Sequence, residues 1–218
     1  MRILGALVVC AAAALAFFKV VNEIFLEDER GMDHAIILAL RDPADATHPL
    51  GPAWVADVAR DITSLGSVSV LTIVTAGALV LLVLVGRKSG AIYAVSAIVT
   101  GTLLVQFLKT LFGRSRPDLV PEIAEMASKS FPSGHTSMSA IIYLTLAALI
   151  AREVPKVGSK IYVVCFGILL TGLVGMSRVY LGFHWPSDVV AGWALGAAWA
   201  LLWWAGAEWL GQYSNSRS

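Results

Sequence analysis

Residues 68–108 read VSVLTIVTAGALVLLVLVGRKSGAIYAVSAIVTGTLLVQFL, two apolar runs joined by the single basic pair Arg87-Lys88. Each run has about the length of a bilayer crossing, for which roughly 20 apolar residues suffice. The join leaves room only for a tight turn, so the stretch predicts two antiparallel membrane helices, at about 68–86 and 90–108. Further runs lie outward of this pair, at about 3–22, 136–151, 161–177 and 188–206. The run at 136–151 is the shortest, but its neighbours leave no soluble core for it to join, so it also reads as a span. The composition agrees: 57% of the 218 residues are hydrophobic, 14% are charged, and the mean hydropathy is +0.76. Soluble domains run at about 45–50% apolar and about 25% charged. This excludes a disordered chain, an ordinary soluble enzyme and a nucleic-acid binder, and the net charge of +1 names no partner. The chain reads as one membrane-embedded domain over residues 1–218, all-α, a six-span transmembrane helical bundle.

The first run follows Arg2 and could be taken for a signal peptide. It continues through Phe17, Phe18, Val20 and Val21, beyond the roughly 7–15 residues of a signal core, and reads as a retained helix. Between the first two spans lies a polar segment, about 23–67, rich in acids such as Glu23, Glu27, Asp28, Glu29 and Asp33. Within it Trp54, Val55, Val58, Ala59 and Ile62 recur at helical spacing, with Asp57, Arg60 and Asp61 between them. That pattern predicts a short amphipathic helix on the membrane surface. Cys10 and Cys165 both fall in apolar runs, so no disulfide is expected.

Six spans put both termini on one side. That side holds Arg2, Arg87, Lys88, Arg152, Lys156, Lys160 and Arg217 in short segments, against Glu153 and Glu208. Lys and Arg in short loops mark the cytoplasmic face, so both termini are expected there, in a bacterial inner membrane. Trp203, Trp204 and Trp209 would form an interface belt on that face. Gly192 and Gly196, four apart in the last span, predict close approach of a neighbouring helix.

Polar residues at span ends need a reason in so apolar a chain, and three clusters share the opposite, periplasmic side. The first is Lys109 with Arg114, Arg116 and Pro117: either a snorkelling basic edge or a site for a multiply charged anion. The second is Phe131-Pro132-Ser133-Gly134-His135, opening the fourth span: either a plain helix cap or an anion site at a helix N-terminus, with His135 able to titrate. The third is Ser177-Arg178, then His184 and Asp188. One helical turn could bring the Asp188 carboxylate to the imidazole and leave its other nitrogen free as nucleophile or base; the plain alternative is an interfacial His and a capping Asp. Together the clusters supply cations, a serine, two histidines and a carboxylate, the inventory for binding and attacking phosphate. No residue set suggests a metal cage, so no metal is expected.

These residues resemble the type 2 phosphatidic acid phosphatase superfamily, which also contains the vanadium haloperoxidases. Its signature is Lys-x6-Arg-Pro, Pro-Ser-Gly-His and Ser-Arg-x5-His-x3-Asp. The chain matches every fixed position between 109 and 188, with Lys109, Arg116-Pro117, Pro132-Ser133-Gly134-His135, Ser177-Arg178, His184 and Asp188. The resemblance implies a metal- and cofactor-free lipid phosphatase. His184 would form a phosphohistidine, Asp188 would orient it, and His135 would protonate the leaving oxygen. Lys109, Arg116, Ser133, Gly134 and Arg178 would hold the phosphoryl group. Phosphatidate, phosphatidylglycerophosphate and undecaprenyl diphosphate are the substrates it implies. Arg114 lies outside the signature and would touch either a second phosphate or the headgroup layer. A haloperoxidase is disfavoured by the spans, and a transporter by charges lying at span ends rather than mid-membrane. A catalytically inactive phospholipid-binding protein would be expected to lack His184 or His135. The partners implied are a phosphorylated lipid and the bilayer, with no nucleic acid; the oligomeric state is not legible.

Overall fold

The computed structural model describes residues 2–25, 30–119 and 129–215. Glu27, Asp28 and Glu29 of the polar segment and Arg217 of the basic face lie outside them. The described residues form eight helices: α1 (Arg2–Phe25), α2 (Arg30–Ala39), α3 (Ala53–Ser64), α4 (Val68–Leu84), α5 (Lys88–Phe112), α6 (Gly134–Glu153), α7 (Val157–Tyr180) and α8 (Pro186–Asn215). Their only β pairing is an isolated bridge between Arg41 and Pro49. Helices answer the bilayer's main demand, since each satisfies its own backbone groups where water is absent. Leu4, Val8, Phe18, Ile73, Ile92, Leu103, Ile161 and Phe166 are exposed on the outside of the bundle. That apolar shell suits lipid, and the chain is an integral membrane protein.

Five helices are long and apolar enough to cross a membrane: α1, α5, α6, α7 and α8. The expected second span is present and is bent where it meets the segment before it. Helix α4 has 17 residues, about 25 Å at 1.5 Å per residue, short of the roughly 30 Å hydrocarbon core. It is continued by the amphipathic helix α3 through a short elbow, with a 43° bend between the two. Helix α3 is the amphipathic segment expected between the first two spans, and together with α4 it is long and apolar enough to make a sixth crossing. Its Trp54 and Val58 face outward, while Ala56 and Ala59 pack inward against α7. The elbow has clear causes. Ser67 caps α4, its Oγ accepting from Val70 N at 3.3 Å. Leu65 O accepts the Tyr143 hydroxyl at 2.6 Å. A Cβ on Gly66 would lie 2.6 Å from Val174 Cγ1 and 3.3 Å from His135 Cβ, so only glycine lets the elbow press into the bundle.

Helix α6, the short run of doubtful length, is the centre of the bundle. Thr136, Ser137, Ser139, Ala140, Ile141, Ile142, Tyr143, Thr145 and Ala147 are buried along it. It reads as less apolar because it faces helices, not lipid, and small residues let those helices approach. A Cβ on Gly196 of α8 would sit 2.3 Å from Ala140 Cβ, and one on Gly192 3.0 Å from Thr136 Cβ. The close approach expected of this glycine pair is thus made to α6. Helix α1 lies along α8 and buries Phe17 and Ile24 with Phe131 and Ala191. At the end of the bundle away from the polar clusters, Arg87 pairs with Glu153 at 2.7 Å and Arg152 with Glu208. Cys10 and Cys165 are free thiols.

The seam is testable. Overpacking a tight core costs about 1–3 kcal/mol. Gly196→Ala is therefore expected to lower the thermal midpoint of the detergent-solubilised protein. Gly77→Ala, where nothing lies within 4 Å, is expected to leave it unchanged. Equal midpoints would contradict the role of the seam.

Candidate active site

The three polar clusters meet at one end of the bundle. Lys109 stands in the last turn of α5, which Gly113 closes in the left-handed conformation at φ 60°. The chain then turns back through Arg114, Ser115 and Arg116. Ser133 is the residue before α6, and its amide donates to Asp188 O at 3.1 Å, tying the start of α6 to the start of α8. Arg178 stands in the last turn of α7. Gly182, at φ 77°, makes the turn that carries His184 inward, and a Cβ there would strike the Arg41 guanidinium at 2.3 Å. Pro186 starts α8 and Asp188 lies in its first turn.

His184 is 1% exposed and Asp188 is fully buried. The imidazole Nδ1 lies 3.4 Å from Asp188 Oδ2 and 3.3 Å from Ser130 Oγ. Its Nε2 lies 3.3 Å from Arg116 Nη1. A guanidinium can only donate, so Nε2 must accept, which puts the proton of the neutral ring on Nδ1. Burial pushes the His184 pKa down to about 3, against the pull of the Asp188 hydrogen bond and charge, with Arg178 and Arg116 adding to the depression. The imidazole is neutral at pH 7 with its Nε2 lone pair turned to the cations.

Asp188 is held by donors on both oxygens. Oδ2 accepts from the Ser130 hydroxyl and, at 3.1 Å, from Trp185 N. Oδ1 accepts from Arg114 Nη1 at 2.7 Å. Arg114 also gives Nη1 to Ser187 Oγ at 2.8 Å and Nη2 to Asp33 Oδ2 at 2.7 Å, and stacks 5.6 Å over the Trp185 ring. Asp33 in turn accepts Ser187 N at 2.9 Å and the Ser187 hydroxyl, a carboxylate at a helix N-terminus, where the dipole favours it. Neither role expected for Arg114 is what the structure shows. Its side chain is 9% exposed between two buried carboxylates, facing neither solvent nor headgroups. Asp33 and Ser130 carry no sequence signal beyond their polarity.

The remaining residues surround a cavity of about 720 Å³, whose wall includes Lys109, Arg116, Gly134, His135, Arg178 and His184. Lys109 Nζ donates to Lys129 O at 2.7 Å, and a Cβ on Gly134 would come within 3.3 Å of Lys109 Cε. Arg178 lies 3.9 Å over the Phe183 ring and reaches Thr63 Oγ1 at 3.4 Å, while its buried Nε has no partner among the described residues. Neither Lys109 nor Arg178 has an ion pair among the described residues. Arg116 Nη1 also donates to Phe183 O at 2.7 Å. Ser133 and Asp188 stand behind the wall. Ser133 is fully buried, and its Oγ accepts the Thr136 hydroxyl at 2.9 Å. Among the described residues no three His, Cys, Asp or Glu side chains converge as a metal site. The wall can bind a compact anion and offers it one neutral imidazole nitrogen.

Comparison with known proteins follows the same lines. The model of the PAP2 superfamily matches residues 90–212. Phosphatidylglycerophosphatase B of Bacillus subtilis (strain 168) is 35% identical over 153 residues, covering 66% of this chain and 70% of that protein. A lipid A 1-phosphatase of Rhizobium johnstonii is 36% identical over 119 residues, covering 50% of this chain and 45% of that protein. Among solved structures, the crystal structure of the transmembrane PAP2-type phosphatidylglycerolphosphate phosphatase from Bacillus subtilis superposes with a TM-score of 0.78 at 28% identity, covering 91% of this chain and 96% of that one.

Two outcomes are expected. Removing one partner of a buried ion pair costs about 3–5 kcal/mol, so Arg114→Met should lower the thermal midpoint sharply. Adding Asp33→Asn should then cost less than the two single losses together, because the charge left alone goes with it. Full additivity would show that Arg114 and Asp33 are not coupled. The second concerns pH. An unfolded histidine titrates near about 6.5, and His184 near about 3. Between these values the unfolded chain binds a proton that the folded chain does not, so stability rises with pH. The contribution is present above about 6.5 and is lost as pH falls toward about 3. The midpoint of the unmodified protein should therefore fall more steeply on acidification than that of His184→Asn; parallel curves would contradict the neutral, buried imidazole.

Proposed function

The chain belongs to the PAP2 superfamily, and from that premise we propose that it is a metal-independent phosphatase of membrane lipids that works through a phosphohistidine on His184. The observation that carries the proposal is the tautomer of His184, with Nδ1–H toward Asp188 and the Nε2 lone pair toward Arg116 in the cation-lined cavity. The Nε2 lone pair attacks phosphorus as the bond from phosphorus to the lipid oxygen breaks. His135, in the same wall, enters the step as the imidazolium that the bound phosphate's negative charge favours, and becomes neutral as it gives its proton to the departing oxygen. The phosphorylated ring is then cationic, and Asp188 stabilises it through Nδ1–H. Neutral His135 next takes a proton from water, the hydroxide displaces Nε2 from phosphorus, and inorganic phosphate and neutral His184 are released.

Lys109, Arg116 and Arg178 hold the phosphoryl oxygens with the amide of Gly134, in a helix first turn whose N–H groups lack intrahelical partners. Ser133 stays behind the wall, its hydroxyl oxygen accepting from Thr136, and serves the phosphate by holding the start of α6 in place. Phosphoryl transfer depends mainly on positioning and charge stabilisation, which these fixed cations supply. The site lies at the end of the bundle opposite Arg87, Lys88 and Arg152. By the density of Lys and Arg in short loops, that far end faces the cytoplasm. The active site then opens outward at headgroup depth, where the substrate's tail can stay in the bilayer.

The test is phosphate release from lipid phosphates in mixed micelles. His184→Ala is expected to lower kcat by about a thousandfold or more, the scale on which loss of a nucleophile acts. Near-normal turnover would show that another group attacks phosphorus.

A further inference from the structure

The cavity does not end at the cations. It continues inward between α4 and α5, and its wall changes chemistry with depth. Leu79 of α4 and Ile98 of α5 line the deep part. Between these and the cations, beside Val68, Leu71 and Val105, three polar groups form a rung: Gln106 on α5, with Thr72 and Thr75 on α4. Gln106 precedes Lys109 by three residues, which puts it on the same helix face and about 4.5 Å deeper along the axis.

One of these groups lacks a partner among the described residues. The Thr75 hydroxyl is buried and makes no hydrogen bond to any described residue, although a helical threonine ordinarily bonds back to the preceding turn. Thr102, by contrast, gives its hydroxyl to Ile98 O at 2.8 Å. Gln106 is exposed on the cavity wall with two donors and an acceptor. Unpaired amides and hydroxyls at membrane depth are costly, so the rung is arranged for a ligand that carries hydrogen-bonding atoms just below its phosphate.

Resting on the lipid-phosphatase reading above, we infer that Gln106 and Thr75 recognise the ester-linked glycerol between phosphate and tail and so select diacylglycerol phosphates over polyisoprenyl phosphates. In a diacylglycerol phosphate the ester carbonyls sit a few bonds from the phosphate, at the depth of the rung. In a polyisoprenyl phosphate that depth is occupied by hydrocarbon, which leaves the amide and hydroxyl without partners. Rejection by unpaired polar groups in the site discriminates more strongly than a missing apolar contact does.

The experiment compares kcat/KM for dioleoyl phosphatidate, its dialkyl ether analogue and farnesyl phosphate in the same micelles. The unmodified enzyme is expected to favour the diester over both. Gln106→Leu and Thr75→Val should each lower kcat/KM for the diester roughly three- to tenfold, the range for one neutral hydrogen bond, and leave farnesyl phosphate unchanged. Retained farnesyl phosphate turnover shows that the variants are folded. Variants that lower all three substrates alike, or an unmodified enzyme that handles the ether or the isoprenyl phosphate as well as the diester, would overturn the inference. An unmodified enzyme inactive on all three would instead overturn the phosphatase reading, and the inference with it.

Discussion

One guanidinium, shut away from water between two carboxylates, holds the reactive end of the molecule together. Arg114 reaches Asp33 of α2 with one nitrogen and Asp188 of α8 with the other. Without it both carboxylates would be left buried with no cation beside them, and a buried charge needs a partner. The planar fork matters here, since a lysine offers one point charge where Arg114 serves two carboxylates. The pair of contacts fixes the position of Asp188, and Asp188 fixes the ring of His184. Two effects then compete over the imidazole. Burial favours the neutral form and Asp188 favours the charged one, and in the resting protein burial wins. The pull of Asp188 is not lost. It becomes useful only when the ring carries positive charge, which in phosphoryl transfer to Nε2 is when stabilisation accelerates the reaction.

The bilayer explains why this machinery lies where it does. Backbone groups must be satisfied within each helix, so a polar site is most easily built where helices end and loops begin. Helices α5, α6, α7 and α8 each bring one end to the site, and Gly113 and Gly182 turn the chain into it. The bundle keeps these ends in register through α6, whose small and hydroxyl-bearing residues allow α8 to approach until there is no space for a Cβ at Gly196. The bent pair α3–α4 adds the elbow at Gly66 beside His135, so it also forms part of the cavity wall.

Most of the architecture was legible in the sequence, because the length of an apolar run reports directly on a bilayer. The exceptions have physical causes. Helix α6 looked short because a helix surrounded by helices does not need to be apolar on every face. The joining of α3 to α4 was hidden because it rests on contacts of Gly66 and Leu65 with Val174 and Tyr143, far away in the chain. In the site, Lys109, Arg116, Gly134, His135, Arg178 and His184 could be picked out because charged groups at span ends are rare, and they do share one cavity. Asp33 and Ser130 could not. Asp33 sits among many acids of a loop that looks merely solvated, and its meaning appears only when α2 brings it to Arg114. Arg114 was visible as a cation, but a single sequence does not say whether a cation faces a ligand or a carboxylate.

The mechanism turns on a covalent bond between phosphorus and His184 Nε2. The most direct measurement is a rapid denaturing quench at alkaline pH, where phosphohistidine survives, during turnover of a lipid phosphate labelled with 32P, followed by mapping of the labelled peptide. Label is expected on the peptide that contains His184, formed no more slowly than phosphate is released. Label on another residue, or phosphate released with no protein-bound label at any time, would contradict it.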